Sequence, residues 1–394
     1  MFETLTAPEL DKILRLMAMF RDDPRRDKVD LGVGVYRTPD GRTPVLRAVK
    51  AAEQQIWNTQ DTKSYVALAG DVAFHGAMRQ LILGNSVPAT RVAALATPGG
   101  TGAVRQVLEM TRKLTPDATI WISTPTWPNH PSIIEYLGLT AREYRYYDPD
   151  TGGLDRVGML ADLEQAQAGD LILLHACCHN PTGADLTVQD WQDLTDLFVK
   201  TGAIPFVDMA YLGFGNGVEA DAAGTRMLAA QLPEVLIAAS CSKNFGLYRD
   251  RVGIVLAVCG TQAAQIAASG YLAYLNRQNY AFPPDHGARV VETILNDLTL
   301  AADWRVELAK MRDGMNASRA AFAAALRTET GSDRFGFLAS HLGMFSLIGA
   351  DPSQVTRLRD EFGIYLVGDG RMNIAGLTPQ TIPVVARAVA AVLG

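Results

Sequence analysis

Several short apolar runs in this sequence end abruptly in polar or glycine residues, and each ending offers a distinct piece of chemistry. In open parallel sheets ligands bind beyond the carboxyl ends of the strands, so these endings are where a site would be built. The run VLIAAS at 235–240 leads into CSKNFG, which leaves Lys243 between Ser242 and Asn244 just past an apolar strand. An amine partly withdrawn from water and close to other cations loses proton affinity and attacks carbonyls, forming a Schiff base. The competing reading is a structural or surface lysine. The run IPFVD ends in Asp208, with Tyr211 three residues on. A carboxylate on the floor of a cleft keeps a pyridine-type nitrogen protonated and makes its ring an electron sink. It would serve equally as a helix cap or half of a buried ion pair. Tyr211 either donates to a phenolic oxygen on such a ring or fills the core.

TPGGTGAVRQ at 97–106 reads as strand, glycine-rich turn and helix, so Gly100, Thr101 and Gly102 offer backbone N–H groups at a positive helix end, a nest for phosphate. The stretch lacks the Gly-Lys-Ser/Thr ending of a P-loop, and neither it nor LGVGVY at 31–36 is a dinucleotide fingerprint. Ser240, Ser242 and Arg251 would complete an anion site, since hydroxyls and a guanidinium fork suit phosphate oxygens. HNPTG at 179–183 offers the Asn180 amide to a ring oxygen, although Asn-Pro is also a common turn. Trp127 can stack on a planar ring and His130 can back a carboxylate, or both can simply pack. Arg371, between Gly370 and Met372, suits bidentate grip of a substrate α-carboxylate; otherwise it is a surface charge.

Such endings need a sheet to carry them. Apolar runs at 90–96, 119–123, 171–176, 204–208, 235–240 and 253–258 alternate with helical patterns, which indicates an α/β fold around a largely parallel sheet covered on both faces. From about residue 298, Trp304, Leu308, Met311, Met315, Phe322 and Leu326 fall mostly three or four apart, as on one long amphipathic helix. It leads into a smaller lobe with strand-like GMFSLIG at 343–349 and RMNIAG at 371–376; a helix pattern at 9–20 and LGVGVY join that lobe. The expected domains are a large one of residues 44–297 and a small one of 1–43 with 298–394. At 394 residues, two lobes agree with the roughly 250 to 300 residues at which one core stops growing.

A net charge of −6 disfavours a nucleic-acid surface, which would be strongly basic. MFETLTAPELDK lacks the basic-then-apolar pattern of a signal peptide, and no apolar run approaches the roughly 20 residues of a membrane helix, so a cytoplasmic protein without membrane partners is expected. Four cysteines, Cys177 and Cys178 adjacent, have neither disulfide-framework nor zinc-ligand spacing; reduced thiols and no metal are expected.

The order of these motifs resembles the fold type I aminotransferases that depend on pyridoxal 5'-phosphate, specifically the subgroup of aspartate and aromatic-amino-acid aminotransferases. The likeness runs nearly end to end, through LGVGVY, TKSY, GGTGA, WPNH, CCHNPTG, DMAYLGF, SCSKNFGLYRDRVG, NRQNY, PPDHGA, GMFS and GRMNIAG. It implies a large domain with a mostly parallel seven-stranded sheet, a smaller α/β domain, and a homodimer with shared sites. Lys243 then looks like the Schiff-base lysine that also moves the proton. Asp208 resembles the pyridinium partner with His130 behind it, and Asn180 and Tyr211 the groups on the ring oxygen. Gly100, Thr101, Gly102, Ser240, Ser242 and Arg251 resemble the phosphate cup, with Trp127 stacked on the ring. Tyr65 corresponds to a phosphate ligand given to the neighbouring subunit, and Arg277 to the arginine that reaches across to a substrate side-chain carboxylate. Arg371 and Gly34 match positions that hold the α-carboxylate.

Substrate choice is less determined. Arg277 rewards a second carboxylate and so favours aspartate and glutamate. Ala281, Phe282 and Ser64 depart from aspartate-specific members and look like bacterial aromatic-amino-acid aminotransferases, whereas Val35, Thr43 and Thr101 look aspartate-like. The aromatic reading, with tyrosine, phenylalanine and aspartate as donors to 2-oxoglutarate in ping-pong fashion, stands beside plain aspartate aminotransfer. A β-lyase or decarboxylase would share the cofactor residues without needing Arg277. A transcriptional regulator would need an added basic module, which the chain lacks.

Overall fold

The computed structural model describes residues 2–6, 12–38 and 40–394. The chain divides into two compact units, one of residues 44–180 and 184–314, the other of 1–43, 181–183 and 315–394. Each is taken by itself below.

The larger unit is organised by a seven-stranded sheet. In chain order its strands are β1 (Val92–Pro98), β2 (Thr119–Thr124), β3 (Thr140–Arg145), β4 (Leu171–His175), β5 (Ile204–Met209), β6 (Val235–Ser240) and β7 (Val252–Val258). Across the sheet they run β1-β7-β6-β5-β4-β2-β3. All neighbours are parallel except β7, which is antiparallel to both β1 and β6. Every residue of β4, β6 and β7 is buried, as expected of strands covered on both faces. On one face Leu95, Val255, Ala238, Phe206, Leu173 and Ile122 pack with Ala103, Val104, Val107 and Leu108 of the helix Gly99–Leu114 into a continuous core.

Six of the seven strands coincide with the apolar runs. The seventh, β3, is TAREYR with only Tyr144 buried, so it carried no hydrophobic signal; it lies at the sheet edge, where one flank faces no neighbouring strand.

The long helix spans Leu298–Thr330, and Trp304, Leu308, Met311, Met315, Phe322 and Leu326 are all buried. The pattern change at 298 marks its first turn; the division between units falls further along, at Gly314 and Met315. In the smaller unit, Val29–Asp30 pairs parallel with Ile364–Tyr365, and Phe345–Leu347 pairs antiparallel with Arg371–Asn373. LGVGVY follows the short strand Val29–Asp30 outside any helix or strand, tied down by Asn373, whose N–H donates to Leu31 O and whose side chain donates to Val35 O at 3.0 Å. The helix expected at 9–20 is seen as Lys12–Asp22, and residues 9–11 lie outside the described residues. All four cysteines are free and buried. No helix among the described residues is long and apolar enough to cross a membrane.

Candidate active site

Lys243 follows β6 by three residues and is half-buried, in a turn closed by the bond from Gly246 N to Lys243 O at 3.0 Å. Gly246 takes φ +68°, a backbone conformation that favours glycine. Lys243 Nζ lies 4.8 Å from the ring centroid of Tyr211, so the two loops that carry the expected amine and hydroxyl meet. That disposes of the surface reading of this lysine.

Asp208 is the penultimate residue of β5 and is buried, with its Oδ2 3.0 Å from Nε2 of His130, which is wholly enclosed. Behind His130 the contacts continue. Thr126 Oγ1 is 2.8 Å from His130 Nδ1 and 3.2 Å from His175 Nε2, and the Asn180 N–H reaches His175 Nδ1 at 3.4 Å. One arrangement of protons satisfies the whole chain. Asn180 N–H donates to His175, His175 Nε2–H to Thr126, Thr126 O–H to His130, and His130 Nε2–H to the Asp208 carboxylate. Burial pushes the His175 imidazolium down to about 3, with the neighbouring His130 adding to the effect, so His175 is neutral as this arrangement requires. Burial by itself would raise the Asp208 carboxyl. The hydrogen bond from His130, with the electrostatic pull of His130, His175 and Lys243, outweighs it and holds Asp208 below the usual carboxylate range. The product is a desolvated carboxylate that stays ionised.

The glycine stretch differs in one respect from the expectation. No separate turn exists: β1 ends at Pro98 and the helix begins at Gly99, so Gly100, Thr101 and Gly102 form its first turn. The N–H groups there have no partners within the helix, and the helix dipole adds partial positive charge. Backbone and packing both favour glycine here, and Gly99 takes φ +75°. A Cβ on Gly99 would lie 2.4 Å from the Arg251 guanidinium, and one on Gly100 would lie 2.9 Å from Ser240 Cβ. Ser240 Oγ accepts from Ser242 N at 3.2 Å, and Arg251 Nη1 donates to Ser242 Oγ at 3.4 Å. Two serines, an arginine and a bare helix end therefore share one rim of the sheet.

Trp127 is half-buried and meets His130 edge to face, with centroids 5.2 Å apart. Asn180 is buried at the end of the β4 loop. Tyr65 and Arg277 form a separate, exposed group: Tyr65 is 85% exposed and stacks on Phe282 at 4.6 Å, and the Arg277 guanidinium lies 6.0 Å from the same ring.

In the smaller unit, Arg371 is no surface charge. It is 5% exposed, with its guanidinium 4.5 Å over the ring of Phe345. The same ring lies against Gly34, where an added Cβ would sit 3.4 Å from Phe345 Cζ. The turn before Phe345 is held by Arg319, fully buried, which donates to the carbonyls of Gly343 and Phe345 at 2.8 and 2.7 Å.

The profile of the family described as "Aminotransferase class I and II" matches residues 26–389. The chain belongs to that aminotransferase family. Relatives include an "Aromatic-amino-acid aminotransferase" of Paracoccus denitrificans, 55% identical and aligned over 96% of both chains. An "Aspartate aminotransferase" of Escherichia coli strain K12 is 42% identical over the whole of both. Among solved structures, an aromatic-amino-acid aminotransferase from Burkholderia pseudomallei, described as covalently bound to pyridoxal phosphate, superposes with a TM-score of 0.97 at 39% identity over the full length of both chains.

As an aminotransferase, the chain also carries neighbours of the site that motif reading passed over. Thr126 sits inside STPTWPNH and His175 inside LILLHA, but nothing in local spacing says that the two touch. Phe345 was read only as part of a strand. Trp304 and Leu308 were read only as a helix stripe, yet Trp304 Nε1 donates to Asn244 O beside the lysine at 2.8 Å.

Proposed function

We propose that this aminotransferase moves the amino group of tyrosine, phenylalanine and aspartate to 2-oxoglutarate, acting as a cytoplasmic homodimer with pyridoxal 5'-phosphate as cofactor. The observation that carries the reading is an amine and a carboxylate held ionised, Lys243 and Asp208, at the same rim of the sheet as the bare start of the helix Gly99–Leu114.

The residues present fit the cofactor. The glycine cradle, Ser240, Ser242 and Arg251 suit a phosphate dianion, and a Cβ at Gly99 or Gly100 would close it. When bound, pyridoxal phosphate supplies an aldehyde to amines and a protonated ring that accepts an electron pair. Lys243 Nζ would hold it covalently at rest and, once released, carry a proton away from the substrate's α-carbon. Asp208, braced by His130, would keep the ring nitrogen protonated. Asn180 and Tyr211 would bond the ring oxygen, and Trp127 would cover the ring face. The larger unit, which contains the expected large domain of residues 44–297 apart from 181–183, would hold the cofactor. Arg371, seated on Phe345 beside Gly34, would grip the α-carboxylate. Exposed Tyr65 and Arg277 would serve a second copy's site, one at the phosphate and the other at the substrate side chain.

Greater identity to the aromatic enzyme than to the aspartate enzyme supports the aromatic substrates, as do Ala281 and Phe282. The test is kcat/KM for tyrosine, phenylalanine and aspartate with 2-oxoglutarate. Comparable values are expected; turnover confined to aspartate would replace this reading with aspartate aminotransfer. Lys243→Ala should be folded, without the visible absorbance of lysine-linked cofactor and without turnover, and undiminished turnover would end the assignment.

A further inference from the structure

Lysine reaches its target through four rotatable bonds, so the position of its amine depends on how firmly its backbone is anchored. The turn that carries Lys243 is closed locally by the bond from Gly246 N to Lys243 O, and it is also held from outside. The next residue, Asn244, is buried, yet its side-chain Oδ1 has no hydrogen-bond partner among the described residues. The outside grip comes from the long helix. Trp304 is wholly buried; its indole N–H donates to Asn244 O at 2.8 Å, and its ring lies flat on Phe245, with centroids 4.5 Å apart and planes within 4°. One helical turn on, Leu308 points the same way. It packs against Gly213, where a Cβ would lie 2.4 Å from Leu308 Cδ2 and φ is +96°. Gly213 belongs to the loop of Tyr211, closed by the bond from Phe214 N to Tyr211 O at 2.9 Å. One face of one helix thus touches both loops whose tips bring Lys243 Nζ over the Tyr211 ring.

We propose that Trp304 and Leu308 are positioning residues for the aminotransferase reaction, a splint that keeps the Lys243 loop and the Tyr211 loop in fixed relation so that Lys243 Nζ is placed for proton transfer. The inference rests on Lys243 being the amine that moves the proton. Trp304→Phe keeps an aromatic ring for Phe245 and removes the indole N–H donor together with the bulk of the second ring. A small displacement of a reacting group costs far more in rate than in affinity, on the order of a hundredfold for about 1 Å. The substrate grip and the phosphate cradle are untouched by the substitution.

The experiment compares wild-type, Trp304→Phe, Leu308→Val and Lys243→Ala holoenzymes, measuring kcat, KM, the kinetic isotope effect with α-deuterated aspartate, visible cofactor absorbance and thermal midpoint. Trp304→Phe should lose about tenfold in kcat, the worth of one net hydrogen bond, with KM within about twofold, absorbance retained and a larger isotope effect. Leu308→Val should shift kcat and the isotope effect in the same sense, and it supplies the reading should Trp304→Phe fail to fold. A lower thermal midpoint with unchanged kcat and isotope effect in the folded variants would overturn the proposal and leave Trp304 as core packing. Full activity in Lys243→Ala would instead sink the underlying assignment of the lysine; an inactive Lys243→Ala beside a fully active Trp304→Phe would sink this inference alone.

Discussion

Asp208 is the point at which two opposing forces on a side chain can be weighed. Burial favours the neutral acid, and the His130 bond with the electrostatic pull of His130, His175 and Lys243 favours the anion; the anion wins. Asp208→Ala should therefore leave a folded protein whose lysine still reacts but whose turnover falls by several orders of magnitude. A loss below tenfold would remove Asp208 from its role. His175 gives a prediction of opposite kind. Its imidazolium is pushed down to about 3 in the folded chain, below the ordinary 6.5, so between those values the unfolded chain binds a proton that the folded chain refuses. Stability from neutral His175 is complete above pH 6.5 and is lost as pH falls toward 3, at no more than about 1.4 kcal/mol per pH unit. His175→Asn should flatten the fall in unfolding free energy between pH 6.5 and 4 by about one proton; an unchanged slope would show that the proton goes elsewhere. The meeting of Lys243, Asp208 and Asn180 at one rim was legible in the sequence because each stands at or just past the end of an apolar run. His175 was not, because His130 and Thr126 stand 45 and 49 residues earlier in the chain and only the order of strands brings them alongside.

At the scale of elements, the reversal of β7 is what completes the rim. Parallel strands bring only their carboxyl ends to one edge. A strand running the other way brings its entrance there, and so Arg251, the residue before β7, stands beside Gly99 and Ser242. The register puts Gly253 opposite both Thr97 and Ser240. A Cβ on Gly253 would lie 2.4 Å from the backbone C and O of Gly99, and backbone cannot swing aside. Gly253→Ala should lift the start of the helix Gly99–Leu114 away from the sheet. We expect a loss of about 1 to 3 kcal/mol in stability and at least tenfold weaker retention of cofactor, read by dialysis against buffer and reconstitution. Retention equal to wild type would mean that the cradle tolerates the shift. Glycine at 99, 100 and 102 could be read as a motif in advance; Gly253, inside the apolar run GIVLAV, could not, since its need arises from a neighbouring helix end rather than from its own strand.

For the whole molecule, the alternation of apolar runs and helical patterns was enough to foresee an α/β fold with a largely parallel sheet, because strands buried on both faces must be apolar throughout. The exception is informative. β3 was invisible for the same reason that it is useful: it ends the sheet. Its exposed residues include Arg142, Glu143 and Arg145, and Asp162 takes both the Arg145 guanidinium, at 2.7 Å, and the otherwise open Arg145 N–H, at 2.9 Å. A row of unused backbone donors invites another chain to add a strand, and charge along that row discourages it. Replacing Arg142 and Arg145 with valine and Asp162 with leucine should leave the turnover of freshly purified enzyme within about twofold. The same protein should cloud on concentration or gentle warming, with light scattering as the gauge, and clear solutions equal to wild type would count against it. The polarity that hides this strand from pattern reading is thus what keeps one molecule from zipping onto the next.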